Sequence, residues 1–414
     1  MNEELSQLEL EVDPWFSLSE LRWAPDGRKA LIPHARQKKP EATKVVSKEC
    51  AFCPGSPSMG KSPYTLTDLV QGAKDRNVYF LENTFPTVSP PEISDDVVKF
   101  RREGIAYDRK IARGRHLVQI ETPDHNLNPY LATRQYYKNL VWGYIAMLKT
   151  LRAEEHLWGG LGKNYNGINE DGTKAPSGAS QEHLHSQAVG VDSLLLPNWL
   201  EHTIKHYQEP SIVVPQWLKY AVEQYPVRII APRWLKYIVE KSKGLEIELK
   251  EDSFGRLLGE CSSCIESRFI KGIREIKIAA DDFHVSFVNT VPCSHHPYDF
   301  EINIIPYDHQ GLFDEMSEHQ AASFASILHQ TMTWISSRFG KCGYNYELRQ
   351  GPWKISDHAK LNEYYGKIFH WKFNVYPASS ELGTLRNQGF MSHLLDIPIH
   401  KEAPENIARR IKQK

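Results

Sequence analysis

Two histidines and a glutamine alternate in the segment His183-Leu184-His185-Ser186-Gln187. A neutral imidazole can attack phosphorus, and a neighbouring amide can donate a hydrogen bond to a non-bridging phosphoryl oxygen. On an extended strand, His183, His185 and Gln187 point to one face. The preceding turn, Gly178-Ala179-Ser180, offers backbone N–H groups and a hydroxyl to a second phosphate. These residues predict phosphoryl or nucleotidyl transfer, and two buried histidines or a pair of metal ligands are the alternative readings.

Four of the six cysteines form two CxxC pairs, Cys50 with Cys53 and Cys261 with Cys264. In a reducing compartment such pairs are more often metal ligands or redox centres than disulfides. Neither pair begins a helix after a strand, as a thioredoxin-like redox motif does, which favours metal binding.

Each CxxC is followed by an Asp-His turn and, later, by a histidine on a predicted strand. Cysteine thiolates and histidine imidazoles are the ligands of tetrahedral zinc sites. The sequence therefore predicts two Cys₂His₂ zinc sites, made of Cys50, Cys53, His125 and His183, and of Cys261, Cys264, His309 and His370. If His183 binds zinc, His185 is left as the nucleophile. The alternative is that these are surface or core histidines among the eighteen in the chain.

The same order of elements occurs twice around these ligands. Hydrophobic periodicity predicts strands, an Asp-His turn, a long amphipathic helix and a histidine-bearing strand in each half. In the first half these are 78–81, 116–121, 122–125, 134–151 and 180–189, with a loop at 164–179; in the second they are 285–289, 300–305, 306–309, 318–338 and 369–377. The fold class predicted is a duplicated α+β unit, each half an antiparallel sheet with a long packing helix.

The domain organisation follows from this duplication. We expect a first half at 1–190, a helical insertion at 191–245 and a second half at 246–414. The insertion contains three Pro-x-Trp-Leu repeats, which begin at Pro197, Pro215 and Pro232 and predict short helices.

Composition excludes several classes of protein. The 414 residues are 41% apolar and 24% charged, which is typical of a globular chain and not of a disordered one. A net charge of -1 argues against a broad nucleic-acid surface. No apolar run approaches the roughly 20 residues that span a bilayer, and the acidic start is unlike a secretory signal. We expect a cytoplasmic protein with no membrane or nucleic-acid partner.

The segment from Gly178 to Gln187 matches the pattern Gly-x-Ser-x-x-His-x-His-x-Gln. With the upstream CxxC it resembles the galactose-1-phosphate uridylyltransferase branch of the histidine-triad superfamily. It is especially similar to the ADP-glucose phosphorylase branch, where serine commonly precedes the final glutamine, as Ser186 does here. The resemblance covers about residues 20 to 380 except for the insertion. It implies two histidine-triad-like halves, in agreement with the duplication.

The resemblance also implies roles for particular residues. His185 corresponds to the nucleophile that forms a covalent nucleotidyl-histidine, and the first zinc site stiffens the strand beside it. Gln187 corresponds to the amide that steadies the transferred phosphoryl group, and Ser180 to the residue that contacts the distal phosphate. Asn83 and Phe85, in an Asn-Thr-Phe-Pro segment, correspond to residues near the nucleoside.

A basic run, Arg36-Gln37-Lys38-Lys39-Pro40, resembles the family segment that approaches the sugar phosphate. From the residues alone, Arg36 and Lys39 form either an anion clamp or a solvated basic surface.

The chain departs from the family pattern in two places. A longer loop, Asn164-Tyr165-Asn166-Gly167, replaces Asn-Lys-Gly, so either Asn164 or Asn166 is the matching asparagine. In the second half Lys372 stands where a second catalytic histidine would lie, and the His-x-His iron ligands of some family members are missing near Asn374. The second half is therefore predicted to be chemically silent, with a second zinc ion.

These inferences predict a nucleotidyltransferase that acts on a nucleotide sugar by double displacement, with a sugar 1-phosphate or inorganic phosphate as acceptor and two structural zinc ions. A dinucleoside polyphosphate phosphorylase or hydrolase would use the same intermediate. A zinc-stabilised nucleotide-binding protein without turnover is an alternative of a different class, and a nucleic-acid-binding zinc protein is a weaker one. A homodimer is common in the resembled family.

Overall fold

The structure, a computed structural model, describes about half of the chain. The described residues are 18–23, 29–38, 50–56, 72–91, 93, 108–168, 174–175, 177–192, 195–201, 263–264, 267, 270, 274, 276–289, 301–354, 369–378, 390–400, 407 and 411. Lys39, Cys261 and the last two Pro-x-Trp-Leu repeats lie outside them.

The described strands belong to one large sheet and two small ones. They are β1 (Ser19–Trp23), β2 (Lys29–Pro33), β3 (Tyr79–Glu82), β4 (Asp108–Ile111), β5 (Gly114–Ile120), β6 (Trp158–Tyr165), β7 (Gly167–Ile168), β8 (Lys174–Ala175), β9 (His185–Val191), β10 (Lys277–Ala280), β11 (His284–Val288), β12 (Ile302–Pro306), β13 (Gly343–Arg349) and β14 (Lys372–Ala378).

The large sheet has the strand order β10-β11-β12-β14-β13-β6-β9-β5-β3. Its neighbouring strands are all antiparallel. Strands of the first half lie at one end, strands of the second half at the other, and the pair β6–β13 joins them. The predicted α+β class with two halves is confirmed, and the two half-sheets form one continuous sheet.

Two long helices cover one face of this sheet and pack against each other. They are α1 (Arg134–Ala153) and α2 (Glu318–Phe339), each ending within two residues of the prediction. Their starts are fixed by capping hydroxyls, because Thr133 accepts from the N–H of Tyr136 and Ser317 accepts from that of Gln320. Among the described helices, none has the length and apolarity that crossing a bilayer requires.

The opposite face is partly covered by a small sheet, β2-β1-β4, and by the short helix α3 (Phe390–Leu395). Apolar side chains of β6 and β9 pack there against both covers. The carboxyl-terminal segment returns to the first half, because Leu31 donates its N–H to Pro398 and accepts one from His400.

The described start of the 191–245 segment packs against the carboxyl-terminal part of the chain and against β6. Residues 198–201 are helical, and the ring of Trp199 lies edge-on to Trp158 at a centroid distance of 6.1 Å. The indole N–H of Trp199 donates to the carbonyl oxygen of Leu394.

Strand β6 was not predicted, because its sequence is rich in glycine, which is rare in strands. A Cβ atom on Gly159, Gly160 or Gly162 would overlap the side chain of Trp353, Leu394 or Phe390 respectively. The glycines are therefore required by close packing on both faces. Strand β6 also extends to Tyr165, so Asn164 lies on a strand, and β7 and β8 occupy part of the segment predicted as a loop.

The histidine-bearing strands begin later than predicted. The strand expected at 180–189 begins at His185, and the one expected at 369–377 begins at Lys372. His183 and His370 therefore precede their strands and do not follow the alternation of side chains. In both halves the Nε2 atom of this histidine ring donates to a backbone carbonyl, that of Thr122 for His183 and that of Pro306 for His370.

Candidate functional site

Cys50, Cys53, His125 and His183 form a compact cluster. Their four ligand atoms all lie within 4.8 Å of one another. The Sγ–Nδ1 distances are 3.5 Å for Cys53–His125, 3.6 Å for Cys53–His183 and 3.7 Å for Cys50–His183. A tetrahedral zinc ion, with bonds of about 2.3 Å to sulfur and about 2.1 Å to nitrogen, separates such ligands by about 3.6 Å. The four atoms therefore have the geometry of a Cys₂His₂ metal centre.

Hydrogen bonds around the cluster prepare its ligands for a cation. The N–H of Phe52 donates to Cys50 Sγ at 3.3 Å, which favours a thiolate. His183 donates from Nε2 to the Thr122 carbonyl at 2.7 Å, so its Nδ1 lone pair faces the sulfur atoms. Burial lowers the pKa of His183, which favours the neutral ring that a metal needs. Burial and the neighbouring Cys50 thiol raise the pKa of Cys53, a cost that a bound cation would reverse.

The second predicted set has the same arrangement. Cys264 Sγ lies 3.3 Å from Nδ1 of His309 and 3.4 Å from Nδ1 of His370. The two histidine rings are nearly perpendicular at 5.5 Å, as those of His125 and His183 are at 5.3 Å. Both described sets can hold a metal ion, and the predicted fourth ligand of the second set, Cys261, lies outside the described residues.

His185 begins strand β9 directly beside the first cluster. Its Nδ1 donates to the carbonyl oxygen of His183 at 2.9 Å, which leaves the lone pair of the neutral ring on Nε2. The ring is buried, and that of Phe52 lies edge-on to it at 5.1 Å. Since Phe52 stands between Cys50 and Cys53, the metal-binding turn contacts the candidate nucleophile. The sequence analysis did not identify this contact.

Gln187 shares a face of β9 with His185. Its Oε1 atom accepts hydrogen bonds from Asn83 Nδ2 at 3.1 Å and from His116 Nε2 at 2.9 Å. Asn83 is held in turn by the N–H of Phe85, which donates to its Oδ1 at 2.9 Å. The structure thus brings Asn83 into contact with Gln187 on the face of β9 that carries His185, and Asn83 Nδ2 also lies 3.1 Å from His116 Nε2.

His116 was predicted only as part of a strand. It shares its face of β5 with the apolar residues Val118 and Ile120. A buried polar residue on an apolar face is the signal that could have singled it out.

Asn166 organises the turn that precedes the histidines. Its Oδ1 accepts from the N–H groups of Ser177 at 2.9 Å and of Ala179 at 3.2 Å. Its Nδ2 donates to the Ala179 carbonyl at 2.9 Å. Gly178 adopts a φ of 89°, which suits glycine at this turn. One of the N–H groups that the sequence offered to a phosphate, that of Ala179, is therefore bound by Asn166.

Asn164 connects β6 to the neighbouring segments. Its Oδ1 accepts from the N–H of Phe390 at 2.7 Å, and its Nδ2 lies 3.5 Å from the Gly178 carbonyl oxygen. Ser180 is half-buried at the end of the same turn.

Arg36 lies in a 3₁₀ turn, His34–Lys38, directly after β2. Burial lowers the pKa of its guanidinium to about 10. Its Nε atom is buried and has no hydrogen-bond partner among the described residues. A half-buried guanidinium of this kind suits an anionic partner, as the clamp interpretation requires.

A buried ion pair lies behind strand β9, on the face of the sheet covered by α1. Lys163 Nζ is 2.5 Å from Glu121 Oε2, and both side chains are almost fully buried. The hydroxyls of Tyr136 and Ser186 also donate to Glu121. Because Ser186 lies between His185 and Gln187, this network fixes β9 from its rear face.

No protein-family model and no curated protein sequence matches the chain. Solved structures do resemble it. A uridylyltransferase superimposes with a TM-score of 0.54 at 19% identity, covering 95% of this chain and 97% of that one. A GALT-like protein from Arabidopsis thaliana has a TM-score of 0.50 at 19% identity, covering 88% and 91%.

An ADP-glucose phosphorylase from the same plant, solved with bound ADP-glucose, aligns over 94% of this chain and 97% of its own with a TM-score of 0.49 at 18% identity. At such identities the first two similarities define the fold, and the chain has the uridylyltransferase fold. The fold implied by the His-x-His-x-Gln resemblance is thereby confirmed.

Proposed function

We propose that the chain is a nucleotidyltransferase that acts on a nucleoside diphosphate sugar through a covalent nucleotidyl-His185. The observation that carries the proposal is the hydrogen bond from His185 Nδ1 to the His183 carbonyl, because it presents Nε2 as the nucleophilic atom. The fold of a uridylyltransferase and the amide of Gln187 on the same face support it.

In the first step His185 Nε2 forms a bond to the α-phosphorus. The bond from that phosphorus to the bridging oxygen breaks, and the sugar 1-phosphate leaves with the electron pair. Positive charge develops on the imidazole ring, and the His183 carbonyl oxygen stabilises it through the Nδ1–H. Gln187 donates to a non-bridging oxygen of the transferred group.

In the second step an oxygen of the acceptor, a sugar 1-phosphate or inorganic phosphate, attacks the same phosphorus. The bond to Nε2 breaks, its electron pair returns to the ring, and the enzyme is restored. Most of the rate enhancement would come from positioning and charge stabilisation, and one histidine serving both steps implies ping-pong kinetics.

We further propose that both metal sets bind zinc, held by Cys50, Cys53, His125 and His183 and by Cys261, Cys264, His309 and His370. Four protein ligands leave no coordination position for a substrate, so such an ion supplies rigidity and takes no part in the transfer. In the second half Lys372 replaces the nucleophile, which makes that half structural.

Intact-protein mass spectrometry after brief incubation with a panel of nucleotide sugars tests the proposal. The native chain should gain one nucleoside monophosphate, whose mass names the base, and His185→Asn should gain nothing. A parallel incubation with dinucleoside tetraphosphates tests the alternative substrate class, which cleavage without sugar exchange would support. No adduct with any nucleotide sugar in zinc-loaded protein would falsify the transferase assignment.

A further inference from the structure

The amide of Gln187 is surrounded by groups from three separate parts of the chain. Asn83 follows β3, His116 belongs to β5, and Gln187 belongs to β9. Two hydrogen bonds converge on a single atom of Gln187, one from each neighbour, and the two nitrogen atoms involved, Asn83 Nδ2 and His116 Nε2, lie 3.1 Å apart.

Backbone groups identify the atoms in this arrangement. The N–H of Thr87 donates to His116 Nδ1 at 3.0 Å, so Nδ1 carries a lone pair and the proton of the neutral ring lies on Nε2. That Nε2–H donates to Gln187 at 2.9 Å. The N–H of Phe85 donates to Asn83 Oδ1, so the atom that Asn83 directs at Gln187 is its NH₂ group.

The Gln187 atom that receives both donors must therefore be its carbonyl oxygen. A flipped amide would place its NH₂ group against two N–H donors, at the cost of both hydrogen bonds. The NH₂ group of Gln187 is thus held on the side away from His116. The NH₂ group can only donate hydrogen bonds, so it suits an acceptor such as a phosphoryl oxygen.

We propose that His116 is a positioning residue for nucleotidyl transfer, which fixes the Gln187 amide with its NH₂ group available to the transferred phosphoryl group. The inference rests on the proposed function for its catalytic consequence. The tautomer of His116 and the orientation of Gln187 can be tested without any substrate.

Two substitutions separate the two hydrogen bonds of His116. In His116→Asn the side-chain oxygen can replace Nδ1 as the acceptor for Thr87, but the donor from position 116 to Gln187 is lost and only that of Asn83 remains. In His116→Gln the amide nitrogen can replace Nε2 as the donor to Gln187, but the buried N–H of Thr87 loses its acceptor. If His116 has only a structural role, His116→Gln should lower the activity more than His116→Asn does. If His116 positions Gln187, His116→Asn should lower the activity more.

We expect His116→Asn to lower kcat of nucleotidyl transfer by about tenfold, the value of one directed hydrogen bond, with a smaller change in KM. His116→Gln should retain more activity than His116→Asn while unfolding at a lower temperature. Activity that instead falls in parallel with stability in the two variants overturns the inference.

A double-mutant cycle tests whether His116 acts through Gln187. In a Gln187→Met background, which has no amide to orient, His116→Asn should cause no further loss of kcat. A full additional tenfold loss would show that His116 acts by another route.

The substrate-free test is the ¹⁵N NMR spectrum of protein labelled at histidine, with His116 assigned by its disappearance in His116→Asn. A protonated Nε2 with an unprotonated Nδ1 is expected. The opposite tautomer overturns the inference whatever the activity. If the tautomer is the expected one but no nucleotide donor forms an adduct, the proposed function is overturned, and with it the role of His116 in nucleotidyl transfer.

Discussion

Replacing one cysteine in each CxxC should remove one metal ion at a time. Cys53 Sγ lies within 3.6 Å of two ligand nitrogens, and Cys264 Sγ lies within 3.4 Å of two others. We expect about two zinc ions per native chain and about one in either Cys53→Ser or Cys264→Ser. Cys342→Ser is the matched control: Cys342 is a buried cysteine near Tyr130, outside both clusters, and its replacement should retain both ions.

The size of the effect follows from the coordination geometry. The Sγ–Nδ1 distances of the first site match the roughly 3.6 Å of a tetrahedral centre, so the site needs little rearrangement to bind. Changes to outer-shell groups of zinc sites cost roughly 10–100-fold in affinity, and the loss of a direct thiolate should cost at least about 100-fold. The altered site in each variant should then lose its zinc at a chelator concentration at which the same site of the native protein remains occupied.

The assay is elemental analysis after gel filtration with a competing chelator, with cobalt substitution and absorption spectroscopy to report tetrahedral thiolate coordination. The same variants separate the two halves in function. Cys53→Ser should slow adduct formation, because Phe52 of that turn contacts His185. Cys264→Ser should affect it much less. Retention of two ions by both variants, or loss of one by Cys342→Ser, would refute the assignment of the ligands.

Two further predictions concern buried charges. Lys163→Met should destabilise the protein by about 3–5 kcal/mol in denaturant unfolding, because it leaves the buried Glu121 carboxylate without its cation. The double variant with Glu121→Gln should recover most of this loss. Equal stability of the single and double variants would contradict the argument. Burial of Glu20 raises its pKa, but hydrogen bonds and charges of His34 and Arg22 outweigh this and hold the pKa at about 2. Since the native pKa is below the ordinary value of 4.5, the stabilisation of about 3 kcal/mol is complete above pH 4.5 and is lost as the pH falls towards 2. The difference in unfolding midpoint between native protein and Glu20→Gln should therefore be large at pH 7 and shrink near pH 3, and a difference independent of pH would be inconsistent with this pairing.

Features that repeat locally in the sequence could be predicted. The helices follow from apolar residues at helical spacing and from the capping residues Thr133 and Ser317. The described candidate metal ligands could be selected because a CxxC, an Asp-His turn and a histidine two residues before a strand recur in the same order. Such patterns consist of residues that are close together in the chain, so they can be recognised in a single sequence.

Features that depend on distant partners could not be predicted. Strand β13 contains Asn345 and Glu347, which look exposed in sequence but are buried in the sheet. The glycines of β6 make sense only when Trp353 and α3 are packed against them. The role of His116 depends on Thr87 and Gln187, which lie 29 and 71 residues away.

The antiparallel pairing of β6 with β13 relates the two halves of the chain by an approximate twofold axis. Arg134 and Glu318, which begin the equivalent helices, are 318 − 134 = 184 residues apart. Gly162 and Glu347 face each other across this pair and are 347 − 162 = 185 residues apart. This separation is nearly that of the two helix starts, so Gly162 and Glu347 occupy almost equivalent positions in the two halves. A twofold axis therefore passes near this pair, perpendicular to the sheet.

This symmetry makes the chain equivalent to a dimer whose subunits are covalently linked. Gln187 pairs with Gly162 on one side of the axis, and Asn374 pairs with Glu347 on the other. Strands β9 and β14, which occupy equivalent positions in the two halves, are three strand spacings, about 14 Å, apart on the same sheet. The self-complementary interface that two identical subunits form across a twofold axis is here built into one polypeptide. In a single polypeptide the two halves need not be identical, and the first residue of the equivalent strand is His185 in one half and Lys372 in the other.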